Sequence, residues 1–146
     1  MGEIIPKSRV FINKRDRAFR IMRMLNAEGS KTWLVGVSSQ AIPMFDVEKY
    51  AMDAIAIALF LKEKFKDRQI GIFQSDKGCH VVLKAILTEN EFRNLYEQVK
   101  KYGMENNLSL DYRHIDLTLK YNRTTLRITP KPFRKNSKPP RLIQII

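Results

Sequence analysis

Three short clusters hold the side chains best suited to chemistry. The first is Phe45-Asp46-Val47-Glu48. On a strand, residues i and i+2 point to the same side, so Asp46 and Glu48 project together while Val47 faces the other way. Adjacent carboxylates repel each other and are costly to bury unpaired. A divalent cation, which takes hard oxygen ligands, resolves that conflict. The plain alternative is a solvated strand end whose two acids precede a helix and suit its N-terminal dipole. The second cluster is Phe73-Gln74-Ser75-Asp76-Lys77-Gly78-Cys79-His80. A turn carrying Ser75, Lys77 and a backbone N–H, with His80 on the strand that follows, can present four kinds of donor to a phosphate. Ser-Asp-Lys-Gly is also ordinary hairpin chemistry. The third is His114-Ile115-Asp116-Leu117, followed by Tyr121-Asn122-Arg123-Thr124-Thr125-Leu126-Arg127. Asp116 reads as a third metal ligand or as a salt-bridge partner. Arg123 and Arg127 read as its counter-ions or as clamps on a triphosphate.

The elements that would position these clusters follow from periodicity and punctuation. Apolar residues from Lys49 to Lys66 recur at Ala51, Ala54, Ile55, Ala58, Leu59 and Leu61, which predicts a helix with one buried face. Thr88 and Glu91 have capping-box spacing and predict a helix over Glu89–Tyr102, closed by Gly103 as a left-handed cap. Arg15 to Ala27 carries Phe19, Met22 and Leu25 at helical spacing and reads as a basic amphipathic helix. Strands are expected at 31–37, 41–48, 69–74, 79–86, 114–121 and 125–129, where β-branched and apolar residues concentrate or alternate. The order of elements implies an α+β chain with a β-α-β-β-α-β core. Such a core is one antiparallel sheet with two helices on one face and the other face free. Residues 1–130 are expected to form one domain, and 131–146, with its prolines and basic residues, an extended arm.

Composition narrows the partner. The 146 residues hold 27 Lys and Arg against 15 Asp and Glu, a net charge of +12 with pI near 10.0. The excess is unevenly placed: residues 1–31 have eight basic residues against three acids, and residues 130–146 five against none. Basic ends around a nearly balanced middle favour a polyanion, because clustered Lys and Arg release counterions condensed on phosphates. On this reading Arg15, Arg17, Arg20, Lys131, Arg134 and Lys135 grip a nucleic-acid backbone. One cysteine, Cys79, excludes an internal disulfide and a Cys₄ or Cys₂His₂ zinc site. No apolar run approaches the roughly 20 residues that span a bilayer, so the expectation is a cytoplasmic protein with no membrane partner.

Taken in order, the three clusters resemble the motifs of the archaeo-eukaryotic primase superfamily, and the PrimPol-like branch most. Phe45-Asp46-Val47-Glu48 is similar to its acidic DxE motif, Ser75-Asp76-Lys77-Gly78-Cys79-His80 to its second motif, and His114 to Lys131 to its third. The resemblance covers about Trp33 to Lys131. It implies a small DNA primase/polymerase that transfers nucleotides by a two-metal mechanism. It also implies that Asp46, Glu48 and Asp116 are catalytic and hold Mg²⁺ or Mn²⁺, and that Ser75, Lys77, His80, Arg123 and Arg127 contact the nucleotide. Template and primer DNA, nucleoside triphosphates and a helicase or other replication protein are the partners that go with it. Cys79 stands where the family often has a bulky apolar residue, and the chain is shorter than most catalytic cores of that family. Two other functions suit a sheet of this kind. One is a catalytically silent nucleic-acid reader, although the K/R-G-F-G-F-V-like run of RNA readers is absent. The other is a rolling-circle replication initiator, which needs a His-x-His pair that His80 and His114 do not supply.

Overall fold

The computed structural model describes residues 20–25, 33–127 and 139–146. In chain order the elements are strands β1 (Arg20–Leu25), β2 (Trp33–Ser39) and β3 (Met44–Val47), helix α1 (Ala51–Lys64), strands β4 (Ile70–Gln74) and β5 (Cys79–Leu83), helices α2 (Glu89–Glu105) and α3 (Tyr112–Tyr121), and strands β6 (Thr124–Arg127) and β7 (Arg141–Ile145). They form an α+β fold with two antiparallel sheets, ordered β1-β2-β6 and β3-β5-β4-β7. No helix among the described residues is long and apolar enough to cross a membrane.

One core holds the larger sheet and all three helices together. Alternation along β3, β5 and β4 sends Phe45, Val47, Cys79, Val81, Leu83, Ile70 and Ile72 to one face. On α1, Ala54, Ile57, Ala58 and Leu61 meet that face at i, i+3, i+4 and i+7 spacing. From α2, Phe92, Leu95, Tyr96 and Val99 join them, and from α3, Ile115. The Tyr96 ring packs on Phe45 and Phe92 at centroid distances of 4.5 and 4.8 Å. The three helices among the described residues therefore lie on one side of this sheet. The other face carries Asp46, His80, Phe73 and Leu142 in one cross-strand row, and among the described residues no helix packs on it.

Several local expectations hold. The α1 range, the β4–β5 hairpin and the Thr88–Glu91 capping box are all present, the last with both reciprocal hydrogen bonds formed. Those bonds, from the Thr88 backbone first and its side chain second, hold the Glu91 carboxyl below its usual range.

Others are corrected. The basic helix expected over 15–27 is contradicted at residues 20–25, which form β1 and pair antiparallel with β2 from Arg20↔Ser38 to Leu25↔Trp33. A neighbouring strand of good β-formers outweighs a weak local helix preference. The strand expected at 114–121 is helix α3. Asp111 caps it by accepting from His114 N–H, and its buried residues, Ile115 and Thr118, follow helical spacing. The alternation of Ile115, Leu117 and Leu119 was the misleading signal, since Leu117 is exposed. Nor does α2 end at Gly103. It runs on to Glu105, the left-handed residue beyond it is Asn107 (φ 53°), and Gly103 is buried where α2 passes close to Leu110 and Tyr112.

The single sheet becomes two because β6 pairs with β2 rather than completing the larger one. The place beside β3 is instead taken by Ser109–Asp111, through a bridge between Val47 and Leu110. The expected arm also returns to the fold: residues 141–145 are β7, antiparallel to β4.

Candidate nucleic-acid interface

Asp46 and His80 are direct cross-strand partners on β3 and β5, and His80 Nε2 lies 3.7 Å from Asp46 Oδ1. His80 is buried and Asp46 half-buried. Phe73 on β4 is the next partner in the row, then Leu142 on β7. The Phe73 ring lies over Gly71. A Cβ on Gly71 would meet Phe73 Cε1 at 3.2 Å and Leu142 Cδ1 at 3.4 Å, so the absence of a side chain there leaves room for the ring.

β3 owes its position to a full set of backbone partners on the edge away from β5. Met44 N–H donates to the Tyr96 hydroxyl (2.9 Å), and Met44 C=O accepts from that same hydroxyl (2.6 Å) and from Thr124 Oγ1 (3.1 Å). Asp111 N–H donates to Asp46 C=O (2.8 Å), and Glu48 N–H donates to Ser109 C=O (2.7 Å). The Asp53 carboxylate in the first turn of α1 fixes that segment by accepting from Ser109 N–H (2.8 Å) and Oγ (2.7 Å). Burial pushes the Tyr96 phenol far above its usual range. Sequence reading missed Tyr96, Thr124 and Ser109, because partners so distant in the chain leave no local pattern.

The hairpin between β4 and β5 is shaped by Gly78. A Cβ there would fall 1.9 Å from Val47 O, so only glycine lets the turn pass this close to β3. Gly78 C=O accepts from Ser75 N–H, Ser75 Oγ and Gln74 Nε2. The Ser75 hydroxyl thus has a structural partner within the turn, while Lys77 at its tip is exposed. Cys79 is buried beneath, its thiol pushed up first by desolvation and then by the nearby Asp46 carboxylate.

Asp116 does not join this row. It is exposed on α3, and its Oδ1 accepts from Lys100 Nζ of α2 at 2.7 Å. Among the described residues no group of three His, Cys, Asp or Glu side chains is arranged to hold a metal ion, so Asp46, Glu48 and Asp116 are not brought together. Glu48 is exposed just past β3. Arg123 is half-buried between α3 and β6. Arg127 ends β6 opposite Gly36, and Arg20 begins β1 opposite Ser38. Arg15, Arg17, Lys131, Arg134 and Lys135 lie outside the described residues.

Beside the Asp46–His80 row, at the end of the sheet away from the hairpin, a groove of about 740 Å³ opens along Met44 and Val82. Arg68 and Lys84, both exposed, stand at its rim. The alternation His80, Val82, Lys84 is the signal in the sequence for this face. No protein-family model, curated protein or solved structure matches the chain.

Proposed function

We propose that the chain is a nucleic-acid-binding protein that lays a single strand across the helix-free face of the β3-β5-β4-β7 sheet. The observation that carries this reading is the face itself. An aromatic ring, Phe73, lies along the sheet over Gly71, and exposed basic groups stand at both ends, Lys77 on the hairpin and, at the other end, Arg68 just before β4 with Lys84 just after β5. Rings stack on any base, and cations on the rim neutralise the phosphates. The basic excess at the two ends of the chain supports the same partner.

Fluorescence anisotropy with labelled 12-mer single-stranded DNA and RNA tests it. Log affinity should fall linearly with log salt, and Phe73→Leu should weaken binding about tenfold, within the ~1–3 kcal/mol that one stacked base contributes. No binding at low salt, or binding indifferent to Phe73, defeats the proposal.

The second reading is metal-dependent nucleotidyl transfer, favoured by the Asp46–His80 pairing in register. Its chemistry needs carboxylates around two metals that stabilise the attacking and leaving oxygens, and Asp116 is engaged elsewhere by Lys100. Incubation with primed template, triphosphates and Mn²⁺ decides: incorporation abolished by Asp46→Ala establishes it, and no incorporation removes it.

A further inference from the structure

We propose that the groove along Met44 and Val82 is a nucleotide pocket, which seats one base of the bound strand on that apolar floor and its phosphate between Arg68 and Lys84. The inference rests on the nucleic-acid reading and adds a defined subsite to it.

The groove's volume, about 740 Å³, falls within the range of small-ligand sites. Its floor is the second cross-strand row of the helix-free face, where Met44 and Val82 are direct partners. Ile86, 53% exposed, forms one apolar wall. The floor therefore gives a planar ring apolar contact.

The polar groups stand at the rim, where a phosphate would remain partly hydrated. The two segments that carry them, before β4 and after β5, are held in place: Lys84 N–H donates to Gln69 C=O (2.9 Å), and Lys62 Nζ donates to Arg68 C=O (2.7 Å). Among the described residues neither Arg68 nor Lys84 makes an ion pair, so both cations are available to an anion. The Gln69 amide, also at the rim, has both donors and an acceptor to offer a base edge. Asp67 beside it accepts from an exocyclic amine or a sugar hydroxyl, and its negative charge keeps a second phosphate out. An apolar floor with cations on one rim and an amide next to Arg68 distinguishes a nucleotide from a bare phosphate, which would use only the rim.

The groove sits one row from Asp46 and His80. Two residues of strand rise make that step roughly 6.6 Å. A strand stacked on Phe73 thus continues into the groove without leaving the sheet.

The test is an NMR titration of the isotope-labelled full chain with a single-stranded 12-mer, with deoxyadenosine monophosphate and with inorganic phosphate. Alongside it, anisotropy is measured on Lys84→Glu and Ile86→Glu, two exposed positions whose substitution leaves the core intact. The proposal expects the 12-mer and the nucleotide to shift Val82, Ala85 and Ile86, and phosphate alone to move only resonances near Arg68 and Lys84. It expects each variant to bind the 12-mer about tenfold more weakly with an unchanged thermal midpoint. Full-strength 12-mer binding with residues 82–86 unmoved and both variants unaffected overturns the pocket while leaving the nucleic-acid reading standing. Nucleotide binding without 12-mer binding overturns the strand as occupant, and no response to any probe overturns both.

Discussion

Replacing Tyr96 by Phe removes one oxygen from the centre of the molecule, and the structure says what that oxygen does. The Tyr96 hydroxyl accepts from Met44 N–H and donates to Met44 C=O, while Thr124 Oγ1 also donates to that carbonyl. Tyr96→Phe therefore leaves the carbonyl with one partner and the N–H with none. The ring contacts with Phe45 and Phe92 persist, since Phe keeps the ring. An unsatisfied buried donor costs ~1–3 kcal/mol. In a chain of this length about 2 kcal/mol lowers the thermal midpoint by roughly 4–8 °C. Thr124→Val alone should cost less, because the hydroxyl of Tyr96 still serves Met44 C=O. The double variant should cost more than the sum, because it strips both backbone groups of Met44 at once.

Urea unfolding followed by circular dichroism reads all three variants. A loss below about 0.5 kcal/mol for Tyr96→Phe would refute the claim that β3 is held at its outer edge by side chains. The alkaline limb gives an independent check. The folded phenol holds its proton to higher pH than the unfolded phenol, which titrates near 10. Tyr96 therefore contributes stability that is full below pH about 10 and is lost as pH rises above it. Tyr96→Phe should flatten that part of the decline.

Three further outcomes are expected. Gly78→Ala forces a Cβ onto Val47 O and should cost more than about 2 kcal/mol in urea unfolding, with a change within 0.5 kcal/mol contradicting the close approach. Cys79 should react with a disulfide reagent at pH 8 about 100-fold more slowly than a free cysteine, because its thiol is buried and held protonated beside Asp46; reaction at the free rate would contradict that burial. Asp116→Asn breaks only an exposed pair with Lys100 and should change stability by less than ~1 kcal/mol while leaving 12-mer affinity intact; loss of a metal-dependent activity in this variant would instead favour the polymerase reading.

What the sequence revealed follows the range of the forces involved. The helical spacing between Lys49 and Lys66, the pairing of Thr88 with Glu91, and the turn chemistry of Ser75 to Gly78 are local, and each element is present. Of the apolar positions read on that helix Ala54, Ala58 and Leu61 are buried, whereas Ala51 and Leu59 are exposed and Ile57 takes the fourth buried place. His114 to Tyr121 satisfied two periods at once, since Ile115, Leu117 and Leu119 alternate while Ile115, Thr118 and Leu119 follow a helix. The signal that separates them is Asp111, whose carboxylate caps His114 N–H. β1 was misread for a different cause: its partner strand, not its own residues, decides its conformation. At the candidate site, the clusters around Asp46 and His80 were legible as two separate motifs, while their pairing in register on β3 and β5 emerges only in the structure. The separation of Asp116 from them was not, because it depends on α3 being a helix and on Lys100 of α2.

The larger sheet is assembled from segments of very unequal separation along the chain. β4 and β5 are joined by a tight turn, whereas Gly71 of β4 faces Ile145 of β7 across most of the second half of the sequence. Bringing such distant segments together carries a larger loop-closure cost, so β7 is the last strand to add and the first to leave. Its side chains from Arg141 to Ile145 are all exposed, so little burial offsets that cost. Amide hydrogens should accordingly exchange in a graded order, slowest in β5, which has strands on both sides, and fastest in β7. The side of the helix-free face that carries Leu142 is thus the part that opens most often, while Asp46 and His80 remain in the most persistent part of the sheet.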